Sequence, residues 1–222
     1  MQAARDLPPP RGLGTTRELL QAGRVWAASL GGSVGEARDG GGGRSYRPGV
    51  IILGVSGSLQ QKSGNLALLE LAKANAPPGV EVRIFDGLKS LPHFDPDIEA
   101  AGETPSAVSA WRAAIADSDA LLLASPEYGH SLPGALKNGI DWVIGSGELE
   151  GKVVAVTAAV PIAERGRLGL KALCDTLGAV SAHIVGAEPI VRGLDFEPAV
   201  RKLLAELVAA ATSARLLRSS LR

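Results

Sequence analysis

The chain reads as an α/β domain built on a doubly wound, five-stranded parallel sheet. Three observations carry that reading. Short, almost wholly apolar runs at Val50–Val55, Ala120–Ala124 and Val153–Thr157 are bounded by Gly, Ser and charged residues, as expected of strands buried on both faces. Segments with helical spacing separate them, and strand–helix alternation implies parallel pairing through right-handed crossovers. The first run leads directly through a small-polar loop, Ser56-Gly57-Ser58 to Asn65, into a Leu-rich helical pattern. Five such units suggest the strand order 2-1-3-4-5. A ligand is then expected beyond the C-terminal ends of the first and third strands, where the winding direction reverses.

Composition is compatible with this class. Of 222 residues, 45% are hydrophobic and 21% charged, which is ordinary for a globular α/β protein. The 23 basic and 23 acidic residues cancel, so no nucleic-acid or other polyanionic partner is indicated. No apolar run is long enough to span a membrane, and a cytoplasmic location is expected. Cys174 is the single cysteine and sits in an apolar helical pattern, so it is expected as a core thiol and not as a nucleophile. His93, His130 and His183 show no metal-ligand spacing, and no metal site is expected.

Residues 1–48 differ from the rest. They hold Pro8-Pro9-Pro10, the run Gly40–Gly43 and many arginines, and are read as a disordered or weakly helical N-terminal extension, with residues 49–222 as the domain. Within the domain, a helix is expected over Asn65–Ala76, stopped by Pro77-Pro78. Val80–Phe85 alternates and gives the second strand. Asp86–Glu103 is a long loop. Val108, Trp111 and Ile115 mark a helix that begins at Thr104 or Ser106. Ala120–Ala124 is the third strand, and after the loop Ser125–Leu132 a helix starts near Pro133, a favoured first-turn residue. Val153–Thr157, the helix Arg167–Leu177 stopped by Gly178, the strand Val180–Val185 and the helix Glu197–Leu217 complete the chain.

Two loops carry the chemistry. Strand, Ser/Gly loop and helix start is a geometry that holds a phosphate, through backbone N–H groups, hydroxyls and the positive end of the helix. Ser63 and Asn65 equally suit plain helix capping. A nucleoside-triphosphate loop is excluded, because the glycines it needs are replaced by Ser56 and Gln61 before Lys62-Ser63. A three-glycine dinucleotide fingerprint is also missing, since only Gly57 is in place. What remains suits a mononucleotide monophosphate. The second loop, Ser125 to Gly134, has a backbone restrained by two prolines and offers the Tyr128 ring to a flat heteroaromatic ligand.

The pair GSLQQKSGN and PEYGHSLPGALKNGIDW, in this order after the first and third strands, resembles the NADPH-dependent FMN reductases. These are flavin, quinone, chromate and azo-dye reductases on a flavodoxin-like fold, and the resemblance covers roughly residues 49–191. It implies FMN as cofactor, NADPH or NADH as co-substrate and a ping-pong route to a small-molecule electron acceptor (flavin, quinone, azo or metal-oxyanion), with no catalytic side chain beyond the flavin's own chemistry. The implied phosphate residues are Ser58, Ser63 and Asn65, with Ser56, Gln60 and Lys62 in the same loop. Pro126, Glu127, Tyr128, Gly129, His130 and Ser131 are implied to line the ring and ribityl chain. Gln60 stands where the family usually has Arg, Gly129 where it has Asn, and Ala158–Gly166 lacks a glycine pair often found near the flavin. A homodimer or homotetramer is implied, and apolar faces on Ala135–Val143 (Leu136, Ile140, Trp142) and Val200–Ala211 are expected to form the contact. The alternatives are a flavodoxin-like electron carrier and a degenerate, non-catalytic interaction protein.

Overall fold

A computed structural model describes residues 49–220; the reading of residues 1–48 lies outside them. The elements are β1 Val50–Ser56, α1 Gly64–Ala74, β2 Val80–Phe85, a 3₁₀ turn at Gly87–Ser90, α2 Pro96–Ala100, α3 Ser106–Ala116, β3 Ala120–Ala124, α4 Gly134–Asp141, β4 Val153–Thr157, β5 Ala159–Val160, α5 Arg167–Ala179, β6 His183–Ile184, β7 Ile190–Val191 and α6 Phe196–Ser220. The main sheet runs β2-β1-β3-β4-β6, all parallel. With β6 counted as the fifth main strand, this is the expected 2-1-3-4-5 order, and the fold is flavodoxin-like.

Strand side chains alternate between faces, so the central strands feed two cores. Ile52, Leu122 and Ala155 face α1 and α6, where Leu68, Leu69, Leu204 and Leu207 meet them. Leu53, Leu123 and Val154 face the opposite core, with Trp111, Ile115, Leu136, Leu173 and Leu177 from α3, α4 and α5. Helices therefore change sides between β1 and β3, and the crevice opens there.

The long loop after β2 covers α4. The Asn138 side chain accepts from the Phe94 N–H at 2.8 Å and donates to Pro92 O at 2.9 Å, and the Trp142 indole donates to the same carbonyl at 2.8 Å. Phe94 meets Trp142 edge-on, with ring centroids 5.1 Å apart. This cover corrects the expected subunit contact: Leu136, Ile140 and Trp142 lie inside the protomer, 1–2% exposed. The expected apolar face of α6 is likewise internal, since Val200, Leu204, Leu207, Val208 and Ala211 pack on the sheet.

Two further differences concern the sheet. The fifth main strand is only His183–Ile184, not Val180–Val185, because α5 runs on to Ala179, Val180 caps it and Ser181 turns the chain at φ 56°. Beyond β4, the chain enters a second ladder, β5 with β7, that sequence periodicity did not announce. Cys174 is partly buried against the core, and burial pushes its thiol upward, as suits a packing residue. Among the described residues no helix is long and apolar enough to cross a membrane, and no His/Cys/Asp/Glu group is arranged to hold a metal.

Lys152 is buried at the start of β4, and its ammonium donates to Ile115 O at 2.9 Å and Ser118 O at 2.7 Å. Burial, helped by Arg218, lowers its pKa from 10.5 to about 8 against the opposing pull of Asp119, Asp117 and Glu148. Between those two values the unfolded chain holds a proton that the folded protein does not, so stability rises with pH there. We predict that denaturant stability of the wild type gains on Lys152→Met as pH rises from about 8 to 10.5, by at most about 1.4 kcal/mol per pH unit. A pH-independent difference would contradict this account of Lys152.

Candidate flavin site

Three chain segments meet beyond the C-terminal ends of β1, β3 and β4. The first two are joined at Gly57, whose N–H donates to Ala124 O at 2.9 Å. A Cβ at this position would stand 2.9 Å from Ser125 Oγ and 3.2 Å from Ser125 Cα. Glycine is thus needed for the close approach of the two strand ends.

The loop that follows is folded on its own hydroxyls. Ser56 Oγ accepts from the Ser58 N–H at 3.2 Å and donates to Ser58 O at 3.1 Å; Ser58 Oγ accepts from the Gln60 N–H at 3.2 Å. Ser63 caps α1, its Oγ accepting from the Leu66 N–H at 3.0 Å. Both Ser58 and Ser63 act here as acceptors, which leaves each hydroxyl proton as a donor for a ligand. The N–H groups of Gly64 and Asn65 belong to the first turn of α1 and have no intrahelical partner. A small buried hydroxyl, a capping hydroxyl and helix-terminal amides are the donor set that a phosphate monoester requires.

Asn65 has a different place from the others. It is 4% exposed, and its side-chain oxygen accepts from the Ala159 N–H at 2.8 Å, across 94 residues of sequence. The residue ties the start of α1 to β5. Gln60 and Lys62 are exposed on the loop. A cavity of about 190 Å³ lies on the β2 side of the loop, between Ser56, Ser58, Leu59 and Gln60 and the residues Phe85, Asp86 and Leu88.

The third-strand loop forms a tight turn. Tyr128 and Ser131 exchange both backbone hydrogen bonds at 3.0 Å, with Gly129 at φ 57° and His130 at φ 63° between them. Two successive positive φ values define a type I′ turn, which favours Gly, Asn and Asp. This explains one departure from the family pattern, because Gly129 and Asn suit the same conformation. The Tyr128 ring and the His130 imidazole stand out, 56% and 79% exposed respectively. Pro126, Glu127 and Ser131 are half-buried beneath them.

Glu127 anchors the turn from below. Its carboxylate accepts from the Gly169 N–H at 3.0 Å, in the first turn of α5, where a negative charge is favoured. A Cβ at Gly169 would lie 3.0 Å from Glu127 Cα, so the helix start rests directly on the turn's backbone. Contact with His130 is looser, 3.5 Å from Glu127 Oε1 to Nδ1. Arg167, at the head of the same helix, is engaged by Ala163 O at 3.1 Å and Glu188 at 3.3 Å. In the loop after β4, Gly166 alone has a left-handed backbone, φ 86°; Ala159 and Val160 are held in β5, which has no use for a glycine pair.

The structure thus brings Ser56, Ser58, Ser63 and Asn65 together at one strand end, and Pro126 through Ser131 at the next. Neither the role of Gly169 nor the Asn65–Ala159 bond is visible in the sequence. An Asn at a helix start reads as a cap or a ligand, and nothing local reveals a partner 94 residues away.

The turn geometry gives a direct test. We predict that Gly129→Asn leaves the urea midpoint nearly unchanged, while Gly129→Val destabilises by about 1–2 kcal/mol, the cost of a left-handed backbone for a β-branched residue. Equal stability of the two variants would contradict the type I′ assignment.

Comparison with known proteins gives the same outline. A sequence model of the NADPH-dependent FMN reductase family matches residues 50–193. The chain is 40% identical over 122 residues to a NAD(P)H-dependent FMN reductase of Pseudomonas aeruginosa, which takes in 54% of this chain and 63% of that protein. It is 38% identical over 99 residues to a NAD(P)H:quinone oxidoreductase of Solanum tuberosum, 43% and 50% of the two chains. The alignments therefore span about half to two thirds of these relatives. Among solved structures, a flavoenzyme NAD(P)H:(acceptor) oxidoreductase of Paracoccus denitrificans superposes with a TM-score of 0.61 at 25% identity, over 75% of this chain and 97% of that one. Oxidised flavodoxin 1 of Bacillus cereus, 14% identical with a TM-score of 0.51 over 71% and 96% of the chains, shares the fold. The family match takes in both the Ser58–Asn65 loop and the Pro126–Ser131 turn, and the chain belongs to the NADPH-dependent FMN reductase family.

Proposed function

We propose that the protein is an NAD(P)H-dependent, FMN-binding oxidoreductase that passes reducing equivalents to a small-molecule acceptor of the quinone, flavin, azo or metal-oxyanion type. One observation carries this reading: the hydroxyl-and-amide loop after β1 and the exposed Tyr128 turn after β3 are fixed side by side through Gly57. A phosphate monoester bound at the first would extend its ring system towards the second.

In this reading, FMN supplies hydride acceptance and redelivery, so the chain needs no general acid or base of its own. Ser58 and Ser63 donate to the phosphate, with the Gly64 and Asn65 amides beside them. The half-buried Pro126, Glu127 and Ser131 and the prominent Tyr128 and Gly129 hold the ring and ribityl chain. Glu127 acts through position: by bonding the α5 start it keeps the turn's backbone in register. His130 is too exposed to be held in one pose by its 3.5 Å contact, and orients no proton. With FMN held by these residues, the nicotinamide donor and the acceptor would use the site in turn, and the kinetics would be ping-pong.

We also propose a homodimer. The support is a set of apolar side chains that are each about half exposed in the segments after β1, β3 and β5 and at the start of α5: Leu59, Tyr128, Ile162 and Leu168.

The test uses the protein reconstituted with FMN under anaerobic conditions. NADPH or NADH should bleach the oxidised-flavin absorbance, and a quinone should restore it. Initial rates against both substrates should give parallel double-reciprocal lines, and the same preparation should sediment as a dimer. Failure to retain FMN, or retention without bleaching, would contradict the oxidoreductase assignment.

A further inference from the structure

We infer that Arg192 is a second cationic partner of the flavin phosphate and, with Lys62, takes over from the arginine that Gln60 replaces. The inference rests on the FMN reading above and adds a residue that lies far from the phosphate loop in sequence.

Arg192 follows β7 directly. Its N–H donates to Val160 O at 2.9 Å, which holds its backbone against β5. β5 is held in turn to the start of α1 by the Asn65 bond to Ala159. Two hydrogen bonds and a two-residue ladder therefore fix the Arg192 backbone relative to the phosphate loop. The side chain then lies along the loop's far edge. A Cβ at Gly64 would stand 3.4 Å from Arg192 Cδ, so the apolar stem rests against the first turn of α1 where no side chain intervenes.

The two cations share a cavity. Lys62, Ser63, Gly64 and Arg192 line a space of about 460 Å³ on the side of the loop away from β2, with Phe196 and Glu70 on its other walls. Among the described residues neither Lys62 nor Arg192 has a carboxylate within 4.0 Å, whereas Arg83, Arg112, Arg167 and Arg201 are each paired with one. With Glu70 counted, the cavity carries one net positive charge beside the α1 amides. Gln60 lines the opposite, β2-side cavity. A cation supplied at position 60 would thus approach the phosphate from one flank, and Arg192 approaches it from the other. Its planar guanidinium suits two phosphate oxygens at once, whereas Lys62 acts as a point charge.

The test measures apo-protein affinity for FMN and for riboflavin by flavin fluorescence. Arg192→Met, which keeps the apolar stem on Gly64, should weaken FMN by about tenfold or more and leave riboflavin within about twofold. The FMN loss should shrink in high salt. Arg192→Lys should recover part of the affinity, and Lys62→Met combined with Arg192→Met should weaken FMN further than either change alone, again with riboflavin little affected. Circular dichroism melts of each variant separate these effects from unfolding. If Arg192→Met weakens both ligands equally, or neither, the inference fails while the FMN reading stands. If the wild type binds neither ligand, the FMN reading fails first. Selective loss of NADPH over NADH, with FMN affinity intact, would overturn the flavin assignment and place Arg192 at the nicotinamide cofactor's 2′-phosphate.

Discussion

The bond from the Ala159 N–H to the Asn65 side chain is the constraint on which the site depends. The chain leaves β4 buried, and Thr157 and Ala158 have almost no exposed surface. Its next free N–H needs a partner, because an unpaired buried amide costs as much as a lost hydrogen bond. Asn65 supplies the partner from the first turn of α1, and the short β5–β7 ladder continues from there. The helix whose amides face the crevice is thereby positioned at two points: Ser63 closes its start, and Asn65 fixes it to β5. Gly57 performs the same task between β1 and β3 by removing the side chain that would hold them apart.

These contacts are all made within the chain, between its own backbone and side chains. The donors are already gathered, and the turn bearing Tyr128 is clamped to α5 through Glu127. Such preorganisation lowers the ordering cost of binding. Gln60 and Gly129, the two loop positions that depart from the family pattern, belong to the same two segments. Gly129 satisfies the same left-handed turn as Asn, and in the inference drawn above Arg192, next to β7, would supply the charge that Gln60 lacks.

Much of this was legible in the sequence where local chemistry decides. The runs at Val50, Ala120 and Val153 could only be buried strands, and Val108, Trp111 and Ile115 marked one helix face. The loop after β1 announced a helix start that favours anions. Legibility failed where a distant segment decides. Leu136, Ile140 and Trp142 have the pattern of an exposed apolar face, yet Asn138 and Trp142 draw the Pro92 segment over them. The ladder of β5 with β7 has two residues per strand, too few for any periodicity. The fifth main strand is shorter than the apolar run Val180–Val185 suggests because α5 consumes Val180 at its cap, and neither Val180 nor Ser181 signals the turn that follows.

Amide hydrogen exchange with and without FMN tests the central claim most directly. If the loops after β1 and β3 form one preorganised cradle, FMN should slow exchange in the peptides covering 57–66 and 125–132 together, at one ligand concentration. Peptides at the opposite end of the sheet, around Lys152, should not change. Protection confined to one of the two loops, or appearing away from both, would contradict the account.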